Sequence, residues 1–472
     1  MNERSTFRLP LERALGHALD HLDNLDRRPV AATVSLETLR QRLGKPLEVD
    51  GIPAERVIDD LAADVAGGIL GSAGGRFFAW VMGGSVPAAL AADWLTSAWD
   101  QNAASFDAAP AMAVIEEVCG SWLKDLLGLP KNASFTLTSG CQMAHATALA
   151  AARNALLTRR QWDVERKGLS GAPRIRIVSS DQYHGSVERA VRLLGLGTDS
   201  IRPVSADSAG RLEASQLERV LEETPDAPTV VLLQAGDLNI GAFDSFAELI
   251  PIAHRYHAWV HVDGAFGLWV NASDKYRHML EGAERADSWT TDGHKWLNTP
   301  YDCGYAFVAH PEPHRRSMSY LASYVGHQDD VREQKDWTPE WSRRARGVAT
   351  YAAIRQLGRR GIAGLIERTC AAAHALVTGI GRLPGARMIW EPRINQGLVR
   401  FVDPRPGATD ADHDARNDEV VRRIRATGEA FFSDTTWRGQ RCMRVSVCNW
   451  QTDADDVQRS IAAVETALRS FD

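Results

Sequence analysis

The 472-residue sequence has few cysteines and no hydrophobic run of membrane-spanning length. Polar or charged residues interrupt every apolar stretch, so no transmembrane helix is expected. The six cysteines are scattered without the spacing of metal ligands, which favours reduced, mostly buried thiols in a cytoplasmic protein. They are Cys119, Cys141, Cys303, Cys370, Cys442 and Cys448.

An excess of positive charge is also missing. The 54 Lys and Arg residues stand against 60 Asp and Glu residues, for a formal net charge of −6. Binding to nucleic acid or to an anionic membrane is therefore not expected. The first residues, Met1–Ser5, lack a basic segment followed by an apolar one, so secretion is not expected either. What remains is the composition of an ordinary globular protein, 44% hydrophobic and long enough for two or three domains.

From about residue 130 onward, short apolar strands alternate with helices. This alternation predicts an α/β fold whose mostly parallel sheet is covered by helices. We predict an N-terminal helical or dimerisation segment at residues 1–90, a large cofactor-binding domain at 91–364 and a small α/β C-terminal domain at 365–472. The strands predicted for the large domain are Phe135–Thr138, Arg174–Ser179, Thr229–Leu233, Trp259–Val262 and Gly304–Val308.

Two residues after apolar runs carry the strongest chemical signal. Asp263 closes the strand Trp259–Val262, and Lys295 stands between His294 and Trp296 after another apolar run. A lysine amine forms an imine with the aldehyde of pyridoxal 5'-phosphate (PLP), and a carboxylate keeps the cofactor's pyridine nitrogen protonated so that the ring accepts electrons. Ligands of such sheets bind beyond the carboxyl ends of the strands. The ordered pair therefore predicts a PLP site, with a helix-capping Asp263 as the alternative.

Further candidates surround this pair. His184 could stack on the outer face of the cofactor ring, or it could simply stand at the start of a helix. The turn Thr138–Gln142 joins a strand to a helix, and its N–H groups would receive the cofactor phosphate. His294 could contact the same phosphate or be a packed structural side chain. Three aromatic residues could line an apolar substrate pocket, although such residues more often belong to the core: Trp80, Trp99 and Phe106.

Four motifs give the chain a specific resemblance to a known family. At these residues it resembles the group II PLP-dependent decarboxylases, the aromatic-amino-acid and glutamate decarboxylase family, from about Pro29 to the last helix. The resemblance implies a fold-type I architecture, an amino-acid substrate and a homodimer with shared active sites. The motifs are Arg76–Trp80, Ser180–Ala190, His261–Ala265 and His294–Trp296.

The resemblance also implies a role for each candidate residue. Lys295 would bind PLP covalently, Asp263 would pair with the pyridine nitrogen, and His184 would stack on the ring, so that Lys295 and His184 are the predicted catalytic residues. Trp80 would form an aromatic wall of the substrate pocket. Phe106, predicted from its aromatic side chain and not from the resemblance, is the further pocket residue. The other predicted cofactor contacts are Ala265, Ser139, Gly140, Cys141, Gln142 and His294.

The chain departs from the family pattern in three places. In the family's aromatic branch, a mobile loop carries a Tyr three residues before a Trp, and this Tyr protonates the substrate carbon. Here Gln334 stands three residues before Trp337, and an amide cannot act as a general acid. Asp292–Gly293 replaces a frequent Asn-Pro, so that a carboxylate would be repelled by the phosphate unless it points away. Gln142 replaces a small hydroxyl residue in the phosphate turn.

These departures leave several reactions open. The leading prediction is decarboxylation of an L-amino acid to the amine and CO2, with an aromatic side chain weakly favoured by Trp80. The proton for the α-carbon would come from His184, Lys295, Tyr324 or water. Loss of the loop Tyr also allows a reaction with oxygen that gives an aldehyde, ammonia and peroxide. Transamination would need a fixed cation such as Arg444, although a solvated strand arginine is the simpler interpretation. A PLP-fold protein without catalysis is opposed by the retained lysine, aspartate and histidine.

Overall fold

The computed structural model describes residues 6–320 and 332–471. No helix in these ranges is both long and apolar enough to cross a bilayer. The helices are α1 Arg8–Asp23, α2 Leu36–Leu43, α3 Ala54–Asp64, α4 Pro87–Trp99, α5 Pro110–Leu126, α6 Cys141–Thr158, α7 Val164–Lys167, α8 Gly185–Leu193, α9 Ala214–Glu222, α10 Phe246–Arg255, α11 Pro311–Met318, α12 Gly347–Gly381, α13 Asp410–Thr427 and α14 Ala454–Arg469. The strands are β1 Phe77–Phe78, β2 Ser134–Thr138, β3 Arg176–Ser180, β4 Ile201–Val204, β5 Thr229–Gln234, β6 Trp259–Asp263, β7 Ser288–Asp292, β8 Gly304–Val308, β9 Ala386–Trp390, β10 Gln396–Phe401, β11 Phe431–Trp437 and β12 Gln440–Ser446.

A seven-stranded sheet in the order β2-β8-β7-β6-β5-β3-β4 organises the larger of two compact units. Strands β7, β6, β5, β3 and β4 pair in parallel, whereas β8 is antiparallel to both of its neighbours. Every residue of β5 and β6 is buried, as parallel strands covered on both faces require. The prediction of an α/β fold with a mostly parallel sheet is confirmed. The sequence pattern missed β4 and β7, in which Pro, Ser and Thr interrupt the apolar run.

Helix α6 lies at the centre of this larger unit. It packs on β2, β6, β7 and β8 and against α8 and α11. This alanine-rich helix is buried on almost all sides. A helix that is enclosed by a sheet and by other helices does not need a polar face, because no side of it contacts water. The helix begins at Cys141, shortly after β2, so its N-terminus lies beyond the carboxyl end of that strand.

The carboxyl ends of several strands meet at one edge of the large sheet. Strands β3, β5, β6 and β7 run parallel, so their last residues stand at this edge. Strand β8 brings the end of β2 to the same place, because Gly304 pairs with both Thr138 and Asp292. Residue 304 has to be glycine, since a Cβ atom there would lie 2.4 Å from the carbonyl carbon of Gly140. Ligands of open α/β sheets bind at this edge.

The smaller compact unit combines residues from both ends of the chain, 1–82, 372–391 and 398–472, and the larger unit has residues 83–371 and 392–397. The sheet of the smaller unit has the strand order β1-β11-β12-β10-β9. Strand β1, from the N-terminal part, pairs in parallel with β11, and the rings of Phe77 and Phe431 stack with their centroids 4.9 Å apart. The three-part division of the chain drawn from the sequence stays a prediction.

Candidate active site

Asp263 is the last residue of β6 and is 6% exposed. Its Oδ1 accepts the N–H of Ala265 at 3.1 Å, and its Oδ2 lies 3.5 Å from Nε2 of His145 on α6. Burial alone would raise the pKa of this carboxyl, but His145, His184 and Lys295 hold it well below its usual range. Asp263 is therefore an ionised carboxylate at neutral pH.

Lys295 lies in the turn that follows β7, and its side chain enters the same site. Nζ lies 3.1 Å from Oδ2 of Asp292, and 18% of the lysine side chain is exposed. Burial disfavours the ammonium, but Asp292, Cys141 and Asp263 together outweigh it and raise the pKa of Lys295. Asp292 links Lys295 to the N–H of Cys141, and the Cys141 thiol lies 3.6 Å from His145, the partner of Asp263, so these residues lie in one site.

The turn between β2 and α6 already holds an anion. The N–H of Cys141, the first residue of α6, donates to Oδ1 of Asp292 at 2.6 Å. A carboxylate is favoured at this position by the free N–H groups and the dipole of the helix. The other residues of Ser139–Gln142 are half-buried. The sequence left open whether Asp292 points away from the turn; in the structure it points into the turn and contacts both Cys141 and Lys295.

His294 is fixed beside this turn. Its Nδ1 donates to the carbonyl of Cys303 at 2.9 Å, and its ring stacks on Tyr301 with centroids 4.2 Å apart. A carbonyl oxygen only accepts, so Nδ1 carries a proton. Nε2 lies 3.6 Å from Oδ2 of Asp292. Burial lowers the pKa of His294 although Asp292 acts against it. The second ring nitrogen therefore faces the group that occupies the helix N-terminus.

His184 follows β3 at the same edge of the sheet and is exposed. It is the N-cap of α8: its Nδ1 accepts the N–H of Ser186 at 3.2 Å and lies 2.7 Å from the hydroxyl of the same residue. A positive charge on this ring would lower the pKa of Asp263. The helix-start interpretation of His184 is therefore correct, and it is compatible with a place beside Asp263.

The predicted pocket residues are divided between the two units. Trp80 belongs to the smaller unit, where it is half exposed and packs on Phe77 and Phe431 with ring centroids 5.8 and 5.5 Å away. Phe106 belongs to the larger unit and is half-buried. The pocket roles of both residues stay predictions. Arg444, on β12, is only 5% exposed, so the expectation of a solvated arginine is wrong.

Gln334 does not lie on an exposed loop. It is 1% exposed, and its Nε2 donates to the carbonyl of Ala113 on α5 at 3.4 Å. The backbone N–H of the next residue, Lys335, donates to the carbonyl of Ala104 at 2.8 Å. The residue at the predicted position of the loop Tyr is thus enclosed by its own chain. Tyr324, the other candidate proton donor on this stretch, lies outside the described residues.

The sequence interpretation missed His145, the nearest basic partner of Asp263. His145 stands one helical turn after Cys141, so that both face the sheet. His261 and Asp263 are two residues apart on β6 and point to the same side. These spacings were visible, but only the packing of α6 on β6 shows that the two faces meet.

The side chains gathered here fit PLP. A buried lysine amine suits the cofactor's aldehyde, and an ionised carboxylate suits a protonated ring nitrogen. The N-terminus of α6 attracts an anion, as the bond from Cys141 to Asp292 shows. The phosphate end is where the chain differs most from the expected pattern, because Asp292 brings a second negative charge to it.

Comparisons with known proteins point to the same chemistry. The family model described as the pyridoxal-dependent decarboxylase conserved domain matches residues 37–402. The chain is 27% identical over 446 residues to an aromatic-L-amino-acid decarboxylase of Bacillus atrophaeus, covering 93% of this chain and 90% of that protein. It is 26% identical over 354 residues to a phenylacetaldehyde synthase of Petunia hybrida, covering 72% and 69%. The crystal structure of Oryza sativa TDC with PLP and tryptamine matches with a TM-score of 0.92 and 24% identity, covering 100% and 99% of the two chains, in agreement with a fold-type I architecture. The chain belongs to the pyridoxal-dependent decarboxylase family and is a PLP-dependent carboxy-lyase.

Proposed function

We propose that this enzyme converts an L-amino acid with an aromatic side chain to the corresponding amine and CO2. The observation that carries the proposal is a chain of contacts in one buried site. Lys295 contacts Asp292, which accepts the N–H of Cys141, and Cys141 lies beside His145, which contacts Asp263. The aromatic preference is supported by the similarity to an aromatic-L-amino-acid decarboxylase.

Each residue has a role in this proposal. Lys295 would bind PLP through Nζ, and Asp263 would hold the ring nitrogen in its protonated form. PLP, when bound, supplies an electron sink for the charge left on the α-carbon as CO2 departs. His184 would stack on the ring, and Ala265 would be a further cofactor contact. The groups that would contact the phosphate are Ser139, Gly140, Cys141, Gln142 and His294.

We assign the proton for the α-carbon to Lys295. Gln334 cannot supply it, since an amide is not an acid at neutral pH and this side chain is buried. The raised pKa of Lys295 keeps its amine protonated whenever the amine is free, and Asp292 holds Nζ at 3.1 Å. The lysine released by an incoming substrate is therefore a charged donor inside the site.

A panel of amino acids tests the proposal. Purified holoenzyme is incubated with aromatic, acidic and aliphatic L-amino acids, and CO2 and amine are quantified by mass spectrometry. We expect equal amounts of CO2 and amine from tryptophan, tyrosine or phenylalanine. Release of CO2 from acidic amino acids alone would reject the aromatic preference, and no release from any amino acid would reject decarboxylation.

A second candidate is favoured by Gln334 and by the similarity to a phenylacetaldehyde synthase. In this reaction the amino acid, O2 and water give an aldehyde, CO2, ammonia and hydrogen peroxide, so that O2 takes the electron pair that would otherwise receive a proton. An oxygen electrode and a peroxide assay separate the two candidates. Consumption of one O2 for each CO2 supports the oxidative reaction, and CO2 release without O2 consumption excludes it.

Asp292 is expected to weaken PLP binding. In the Asp292→Asn variant the side chain can still accept the Cys141 N–H, but it no longer repels a phosphate, and Lys295 loses a partner that keeps it charged. We expect PLP to bind about tenfold more tightly, as measured by titration of the cofactor-free protein at pH 7. Asp274→Asn, at an exposed carboxylate of the same unit, is the control. Weaker binding in the Asp292 variant would contradict this expectation.

We propose that two copies form a homodimer with shared active sites. Helix α1 presents an apolar stripe with exposed Leu11, Leu15 and Leu19, at 57%, 45% and 48%. Such a stripe on a surface helix is typical of a face that another protein surface covers. Light scattering should give twice the chain mass of 51.8 kDa, and a double variant, Leu11→Glu with Leu15→Glu, should give 51.8 kDa with little activity. Glu12→Gln, off the stripe, should remain a dimer; a wild-type monomer with full activity would contradict the proposal.

A cytoplasmic location belongs to the same proposal. All six cysteines are buried free thiols. Free thiols persist in a reducing compartment. Fractionation of cells that express a tagged chain tests this location, with recovery outside the cytoplasm as the contrary result.

A further inference from the structure

Behind Asp263 lies a line of hydrogen-bonded side chains that the proposed chemistry does not use. Nδ1 of His145 lies 2.9 Å from Nε2 of His261, and Nδ1 of His261 lies 2.8 Å from Oγ of Ser288. That hydroxyl oxygen accepts Nε1–H of Trp259 at 2.9 Å. Both imidazoles, Ser288 and Trp259 have no exposed surface. The line therefore runs through the protein interior and ends at the carboxylate.

One arrangement of protons satisfies every group on this line when both imidazoles are neutral. The ionised Asp263 can only accept, so Nε2 of His145 carries a proton and its Nδ1 accepts. His261 then donates from Nε2 and accepts at Nδ1, where the hydroxyl of Ser288 is the donor. Trp259 can only donate, and it donates to Ser288. Every donor on the line points toward Asp263.

The surroundings keep His261 and the nearby thiol of Cys141 uncharged. Burial lowers the pKa of His261 to about 3. The thiol of Cys141, 3.6 Å from Nε2 of His145, has its pKa raised by burial and stays protonated. Thr290 places its hydroxyl 3.3 Å from Nδ1 of His145, where it can only add a second donor. Nε2 of His145 thus contacts the carboxylate of Asp263 at 3.5 Å from the side of the protein interior.

We propose that His145 and His261 are positioning residues of the cofactor site, which orient the Asp263 carboxylate and leave the proton on the ring nitrogen that faces it. This inference rests on the proposed pairing of Asp263 with PLP. A carboxylate that accepts a well-directed N–H has a lower proton affinity, so a basic nitrogen beside it keeps its own proton. The competing explanation is a pair of structural histidines that only fill the core.

Nuclear magnetic resonance of the cofactor-free protein tests the line itself. With 15N-labelled histidine, we expect His261 to be neutral with its proton on Nε2 throughout about pH 6 to 8. The signals are assigned from the variants His145→Gln and His261→Gln. A proton on Nδ1 of His261, or titration of His261 in that range, would overturn the proposal. Failure of the wild type to take up PLP would defeat the proposed function instead, and the proton positions would still decide whether the line exists.

Matched variants at residue 261 test its effect on the cofactor. His261→Leu keeps the approximate volume and removes the donor to His145, whereas His261→Gln keeps an N–H near the position of Nε2. We expect the Leu variant to bind PLP about tenfold more weakly and the Gln variant to recover most of this loss. The visible absorption of PLP bound to Lys295 should titrate at higher pH in the Leu variant. The reason is that a pyridine ring of PLP without its proton no longer lowers the pKa of the imine.

Two further outcomes bear on the proposal. If the absorption of bound PLP titrates at the same pH in a folded His261→Leu protein as in the wild type, His261 has only a structural role. This result would overturn the proposal whether or not the turnover rate changes. Ser288→Ala, which removes a hydroxyl and is the milder change, should shift the titration in the same direction if the Leu variant does not fold. An absent shift in this variant would also count against the proposal.

A metal ion is the remaining competitor for these side chains. Ligand atoms of Cys141, His145 and Asp263 lie within 4.8 Å of one another. A metal on Nε2 of His145 would replace the proton that the line requires, so the two arrangements exclude each other. Elemental analysis of purified protein should find no stoichiometric zinc. One zinc per chain that disappears in His145→Gln would overturn the proposal.

Discussion

Lys295→Ala is expected to lower kcat by at least about a thousandfold, because the variant lacks both the amine that binds the cofactor and the proposed proton donor. Steady-state release of CO2 measures the loss. PLP should still enter the site, since Asp263 and the phosphate turn are unchanged. The expected protein is therefore one that binds PLP reversibly and does not turn over.

The control for this variant is Lys275→Ala, at a lysine whose ammonium lies over the ring of Tyr276. It should keep the wild-type kcat. A Lys295→Ala protein with more than a tenth of the wild-type rate would contradict the assigned role, provided that circular dichroism shows both variants folded.

Asp263→Asn is expected to lower kcat by roughly a hundredfold or more, with a smaller change in KM. The amide keeps the shape of the side chain but removes the negative charge that stabilises a protonated ring nitrogen. Its second effect is on His145, whose Nε2–H loses a charged acceptor at 3.5 Å. The visible spectrum of the bound cofactor should change together with the rate, because both depend on the same proton.

The control is the same substitution, aspartate to asparagine, at a different position. Asp274→Asn, on the same unit and highly exposed, should leave both kcat and the spectrum unchanged. If Asp263→Asn bound PLP more weakly but kept its turnover at saturating cofactor, Asp263 would be a binding residue only. That result would remove it from the electron-sink chemistry.

The principal pair of the site could be predicted because of where it stands in the chain. Asp263 ends a predicted strand, and the carboxyl ends of parallel strands converge at one edge of the sheet. Lys295 was predicted from its position between His294 and Trp296 after an apolar run, because β7, the strand that it follows, was not recognised. The predicted strand-to-helix turn likewise indicated an anion site at the helix start, Cys141. The sequence does not show which anion binds there, because the orientation of Asp292 depends on a backbone N–H that only the folded turn presents.

Other features depend on contacts between elements that are distant in the sequence. In the sequence, His145 is one polar residue in an alanine-rich helix, and its partner His261 lies 116 residues further along the chain. Gln334 was interpreted as a loop residue by its distance from Trp337, yet its side chain is buried against α5. Spacing along the chain predicted the elements, while tertiary packing decided which side chains meet.

The central claim is that Lys295 carries the cofactor while Asp263 holds its ring nitrogen. Borohydride reduction of the PLP-loaded wild-type protein, followed by proteolysis and peptide mass spectrometry, tests the first half directly. We expect the reduced cofactor to be attached to the peptide that contains Lys295, with close to one cofactor molecule per chain. Attachment to another lysine, or an equal yield of labelled peptide from Lys295→Ala, would contradict it.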